Sequence, residues 1–210
     1  MLLEHRGKRP QIHPSAYIAP TATLCGDVVI AENACVLFGA VITAEGGEVS
    51  IGSRCIIMEN AVIRGTGKHP VRIDKNVLVG PHAYLSGCTI EQNTFLATGT
   101  RIFNGAIVGR GSGVRINGTV HVNTTLAAET VVPIGWIAIG NPAQLFPPEA
   151  HEQIGPIQKE LDFLGTVFDM HVPLHSAPME ELARRYTRGM SKHFTDRILQ
   201  GEETHDIDHI

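Results

Sequence analysis

The side chains best suited to chemistry in this sequence are cations and imidazoles spread across its middle: Arg64, His69, His82, Arg101, Arg115 and His121. A guanidinium stays charged near neutrality and grips a carboxylate or phosphate through two parallel hydrogen bonds. A neutral imidazole can accept a proton as a general base, and three converging imidazoles can hold a metal ion. Glu59, Asn60, Asn104 and Asn117 lie in the same region as acidic or neutral partners. Which of them meet depends on the elements that carry them.

Those elements follow from a six-residue period. Aliphatic residues return at Ile12, Ile18, Leu24, Ile30, Val36 and Ile42, then at Ile51, Ile57 and Ile63, at Ile73, Val79 and Leu85, and at Ile90, Leu96 and Ile102. A step of six fits neither a 3.6-residue helix nor a lone alternating strand. It fits a coil with three short faces, each sending one side chain inward. Asn, Gly and Asp recur at the corners, where positive φ or a local hydrogen bond is needed. At about 18 residues per coil the pattern supplies about seven coils. The prediction is an all-β solenoid, a parallel β-helix whose stacked coils bury one continuous aliphatic column. Two phase breaks, Ala44–Glu48 and Arg64–Pro70, must leave the column as loops, and loops on a rigid scaffold are where function concentrates.

Residues 1–11 read as a lead-in, 12–146 as the β-helix, 147–200 as C-terminal helices and 201–210 as a polar tail. The Gly140-Asn141-Pro142 turn takes the chain out of the column. Ile154, Ile157, Leu161, Leu164 and Phe168 form one helical stripe, with Pro156 delaying or kinking its start. A second helix is expected from near Pro178, carrying Leu182, Tyr186, Met190, Phe194 and Ile198 at four-residue steps. Its Arg184, Arg185, Arg188, Lys192 and Arg197 read as a solvated face with intersubunit salt bridges.

Composition narrows the functional classes. The 210 residues carry a net charge of −4, which gives no electrostatic case for nucleic acid or an anionic membrane. The N-terminus has no long apolar run, so neither a signal peptide nor a membrane span is expected there. The four cysteines, Cys25, Cys35, Cys55 and Cys88, contain no Cys-x-x-Cys pair. They read as buried thiols of a cytoplasmic protein.

The phrases Val71-Arg72-Ile73-Asp74-Lys75-Asn76-Val77-Leu78-Val79-Gly80, Leu85-Ser86-Gly87-Cys88-Thr89-Ile90-Glu91, Asn104-Gly105-Ala106-Ile107-Val108-Gly109 and Ile139-Gly140-Asn141-Pro142-Ala143 carry a resemblance. The stretch from Ile12 to Ala143 resembles the γ-class carbonic anhydrase-like family, left-handed parallel β-helix proteins of the hexapeptide-repeat transferase superfamily. The resemblance implies a homotrimer, and in active members a zinc or iron ion held by three histidines at a subunit interface. Those ligand positions correspond here to Arg64, Pro81 and Ser86. The family's Arg-Gly-Asp corresponds to Phe38-Gly39-Ala40, and its water-positioning glutamine to Met58. Arginine stays protonated, proline has no donor atom and serine is a poor zinc ligand, so no metal is expected at these positions. A replacement site from His69, His82 and His121 would need all three to converge.

The leading expectation is therefore a metal-independent cleft at a subunit interface for a small anionic, carboxylate-type molecule. Arg64 and Arg115 would anchor it, Glu59 and Asn104 would line it, and His69 or His121 would act as general base. A transferase alternative uses coenzyme A as acyl donor with the same histidines as base, by analogy of fold. The third reading is a trimeric scaffold without turnover.

Overall fold

The computed structural model describes residues 1–170 and 179–199. From Leu2 to Ile139 the chain winds through seven complete three-strand coils and the first strand of an eighth. The result is a left-handed parallel β-helix with three sheets. The inward column is continuous: Ile42, Ile63, Leu85 and Ile102 are in register on neighbouring strands of the first sheet, and all are fully buried. Corners are made as anticipated, with six asparagines, Asn33, Asn60, Asn76, Asn93, Asn117 and Asn123, at φ between 52° and 59°. Asparagine reaches this left-handed region at lower cost than other side chains with a Cβ.

The first sheet positions the candidate site. Its strands include Thr23–Cys25, Val41–Ala44, Val62–Gly65, Tyr84–Ser86, Arg101–Ile102 and Thr119–Val120. Side chains alternate across a strand, so the residues flanking the buried column point outward. Cys25, Thr43, Arg64 and Ser86 share one outward row by register, and Phe103 and His121 extend it one residue beyond the paired strands. The C-terminal segment covers this row.

Three details differ from the sequence expectation. Residues 1–11 are not merely a lead-in, since Leu2–Glu4 pairs in parallel with Thr23–Cys25 and opens the first coil. The single helix expected after Pro147 is two: α1, His151–Glu160, with Pro156 inside it, and α2, Phe163–Phe168. They are separated at Asp162, whose φ is 42° and whose carboxylate accepts from the Gly165 amide.

The last described helix, α3, spans Met179–Met190 and stops well short of Ile198. A 3-10 turn, Ser191–Thr195, leads into a short strand, Arg197–Ile198. That strand pairs antiparallel with Leu2–Glu4, matching Leu3 with Ile198, and so covers an edge that would otherwise invite pairing with another chain. Phe194, expected on the buried helical stripe, is 90% exposed. Pro178 and the tail 201–210 lie outside the described residues.

Candidate functional site

The first sheet and the C-terminal helices enclose a cleft of about 460 Å³. Its coil-side wall is Arg64, Thr66, Tyr84, Ser86, Phe103 and Asn104, and its helical wall includes Phe163, Phe168, Leu182, Arg185, Tyr186 and Met190. Both of these walls come from one chain. Phe103, Phe163, Phe168 and Tyr186 form a chain of edge-to-face and tilted ring contacts along the apolar side, with centroids 6.0 to 6.4 Å apart.

Arg64 lies on the strand Val62–Gly65 between buried Ile63 and Gly65, so alternation sends its side chain into the cleft. Its Nη1 donates to the Tyr186 hydroxyl at 3.1 Å. Its acidic neighbour is Glu45, with Nη2 to Oε1 at 3.7 Å, rather than the expected Glu59. Glu45 is itself engaged at 2.9 Å by His193 Nε2. Burial alone would draw the Arg64 pKa down, but Tyr186, Tyr84 and Glu45 outweigh it and hold the value above the ordinary one. The group is a permanent cation with a single short hydrogen bond among the described residues.

Asn104, 2% exposed, donates to Thr66 Oγ1 at 3.1 Å. The loop carrying His69 is held against this floor by Gly87, where φ is 53° and an added Cβ would lie 2.5 Å from the His69 Cβ. Thus Arg64 and Asn104 meet in one cleft, with His69 on the loop beside it. Arg115, exposed next to a strand of a different sheet, does not join them, nor does Glu59, whose carbonyl accepts the His82 amide. His82 occupies an exposed corner at φ 57°. Strand register sets Thr43 beside Arg64 and Ala44 beside Gly65, while Phe38 is an exposed corner residue.

His121 lies deeper, its ring 6.4 Å from Phe103 and 6.2 Å from Phe163, with Gln158 at 3.4 Å from Nε2. Its Nδ1 is buried without a hydrogen-bond partner among the described residues. Desolvation lowers its pKa, only partly opposed by the Val122 backbone, and His69 is lowered too, by desolvation and by Lys68. For His121 the unfolded chain therefore protonates first. The stability from burying the neutral ring is present above the ordinary histidine value of 6.5 and is lost as pH falls through the lower folded value. His121→Phe removes this term, so its urea midpoint should drop less between about pH 7 and about pH 5 than that of the native chain. Equal drops would locate the acid sensitivity elsewhere.

The sequence reading missed Arg185, Tyr186 and Glu45 as cleft residues. Arg185 reaches the rim while bound to Glu181 at 2.5 Å and to the Asp169 carbonyl at 3.2 Å. Its place on the same helical face as Leu182 and Tyr186 was the available signal. It also missed a second cluster at the N-terminal end of the same row, where His5, Cys25, His193 and Asp196 converge.

The coil, its open corners and the helix-capped cleft define a hexapeptide-repeat protein. The chain is 29% identical over 178 residues to γ carbonic anhydrase 1, mitochondrial, of Arabidopsis thaliana, covering 82% of this chain and 62% of the relative. It is 33% identical over 111 residues to a carbonic anhydrase of Geobacillus kaustophilus, covering 53% of this chain and 61% of the relative. A solved structure described as a candidate acetyltransferase from Bacillus cereus superposes with a TM-score of 0.53 at 21% identity, over 91% of this chain and 96% of the other. No family model matches the chain. The chain is similar to γ-class carbonic anhydrases, and its coil fits a γ-carbonic anhydrase-like hexapeptide-repeat family; it spans a little over three-fifths of the length of these two relatives.

Proposed function

We propose that this chain forms a trimer in which each cleft binds a small carboxylate with an apolar body, using Arg64 as its anchor and no metal at the family's ligand positions. The observation that carries the reading is the Arg64 guanidinium itself. It is 25% exposed, faces an aromatic wall, and has its nearest carboxylate at 3.7 Å. A carboxylate entering the cleft would gain two charge-assisted hydrogen bonds while its apolar part covered Phe103 and Phe168. Arg185 supplies a second cation at the rim, and Asn104 and Ser86 supply polar contacts.

The residues at the three ligand positions do not fit a metal ion. Arg64 is a permanent cation with no lone pair to offer, Pro81 lacks a donor atom, and Ser86 offers one hydroxyl. Within one chain His69, His82 and His121 do not form a metal-capable group among the described residues.

The trimer is supported by an apolar stripe on the third sheet. Tyr17, Ile56, Phe95 and Val131 share one outward row by register, and are 42%, 39%, 44% and 48% exposed. A contiguous apolar row of this kind fits a subunit interface. Phe95→Glu should convert the trimer to monomer in analytical ultracentrifugation, and an unshifted sedimentation coefficient would remove this face from the interface.

Calorimetry on metal-stripped protein tests the function, with hexanoate and benzoate as probes. Saturable binding that competes between the two supports the reading, and no heat at millimolar concentration contradicts it. Acyl transfer from coenzyme A is the second reading, favoured by the placement of His69 beside Asn104 and Ser86 at the cleft edge. Acetyl-CoA in the same calorimeter distinguishes it. No helix among the described residues is long and apolar enough to cross a membrane, and a cytoplasmic location is part of the proposal.

A further inference from the structure

We infer that His5, Cys25, His193 and Asp196 form a binding site for a zinc-class divalent metal ion that staples the C-terminal segment to the first coils. Their ligand atoms all lie within 4.8 Å of one another. His5 Nδ1 is 2.6 Å from Asp196 Oδ1, His193 Nδ1 is 2.7 Å from Asp196 Oδ2, and Cys25 Sγ is 3.6 Å from Asp196 Oδ2. The two imidazoles stack with centroids 4.3 Å apart, and each sets its Nδ1 against one oxygen of the Asp196 carboxylate. Zinc bonds of about 2.0 to 2.3 Å place tetrahedral ligand atoms roughly 3.3 to 3.8 Å apart. To admit the ion, the contacts of 2.6 and 2.7 Å to the Asp196 carboxylate must open and any donors spread toward the 4.8 Å limit must close, each by about 1 Å.

Three features favour a metal over a plain hydrogen-bonded tie. The donor set is two nitrogens, a sulfur and a carboxylate oxygen, which suits zinc and excludes magnesium and calcium as good fits. Once Cys25 gives up its proton, one thiolate and one carboxylate neutralise a dication, so the bound site carries no net charge into a location where His5 and Cys25 are each 3% exposed. His193 Nε2 meets Glu45 Oε2 at 2.9 Å, the carboxylate–histidine arrangement that orients a metal-ligating imidazole. Four protein ligands make a closed site, so the ion would be structural rather than catalytic. Its position is distinct from Arg64, Pro81 and Ser86. Glu45 nevertheless links the two, touching His193 on one side and Arg64 on the other.

The consequence is mechanical. His5 follows the first strand, Cys25 ends the strand paired with it, and His193 and Asp196 belong to the segment whose strand Arg197–Ile198 closes that sheet edge. The 210-residue chain stripped with chelator and titrated with cobalt(II) should bind one equivalent per chain with a thiolate-to-cobalt charge-transfer absorption. Zinc should displace the cobalt, raise the melting temperature and slow hydrogen exchange at the Leu199 amide, which bonds to the Leu2 carbonyl. Cys25→Ser should abolish the charge-transfer band. His193→Gln, at a partly exposed position that the fold tolerates more readily, should weaken cobalt binding at least tenfold. The inference is overturned if cobalt shows no saturable 1:1 binding to the native chain, or if the band survives in Cys25→Ser.

Discussion

Arg64→Ala is expected to weaken hexanoate binding by about 100-fold or more, because two charge-assisted hydrogen bonds at about 1.5 to 3 kcal/mol each are lost together. Arg185 at the rim, held by Glu181 and the Asp169 carbonyl, is not placed to replace the two hydrogen bonds of the Arg64 fork. Arg64→Lys keeps the charge but not the planar fork, and should retain an intermediate affinity, down by about tenfold. Because Arg64 also holds Tyr186, a loss could arise from a shifted α3 instead of a lost anchor. Tyr186→Phe separates the two. It removes the 3.1 Å hydrogen bond and leaves the guanidinium in place, so binding should persist within a few-fold. Equal losses in Arg64→Ala and Tyr186→Phe would make Arg64 a support for the helix and not the ligand anchor.

The second large effect concerns the column that holds this arginine in place. Leu85 is fully buried and in register with Ile63 on one side and Ile102 on the other. Leu85→Ala should cost about 3 to 4 kcal/mol, the transfer term plus the cavity that a stacked, close-packed coil cannot collapse. In a quasi-one-dimensional fold each coil is stabilised mainly by its neighbours, so a defect in a central coil weakens the interfaces above and below it. Urea unfolding should show a lower midpoint with little change in the slope. A cost under about 1 kcal/mol would mean that the site relaxes freely, contrary to a continuous column.

Much of this architecture could be read from the chain because a six-residue period leaves few alternatives. Ile63, Leu85 and Ile102 were legible as one column, and Asn76 and Asn117 as corners, since inward position and positive φ each restrict the residue types allowed. Arg64 was singled out through the family resemblance, while the repeat pattern put it at the start of a loop; it lies instead on the strand Val62–Gly65. The C-terminal segment was harder. Phe194 and Ile198 continue a four-residue spacing after Met190, yet the helix ends there because the next residues gain more by forming a turn and pairing with the free edge of Leu2–Glu4. Nothing local in the sequence specifies that distant partner. The same limit hid Arg185 and Glu45, which reach the cleft only through α3 packing and a loop after Val41–Ala44. It also hid the His5, Cys25, His193 and Asp196 cluster, whose members are adjacent only because the strand Arg197–Ile198 lies against the first coil.

These pieces fit one arrangement, in which the outward row of the first sheet serves two purposes. Its N-terminal end ties down the chain terminus, and its middle presents a guanidinium to an apolar cleft. Metal analysis of the purified protein alone cannot separate this from an ordinary family metal centre, because zinc held by Cys25 would register in both cases. The decisive measurement is an anomalous difference map at the zinc edge from crystals grown with zinc and hexanoate. The account predicts no metal peak within coordination distance of Ser86 or the Arg64 side chain, and the hexanoate carboxylate seated on the Arg64 guanidinium. A zinc peak in that crevice, held by side chains of one subunit or its neighbours, would contradict it.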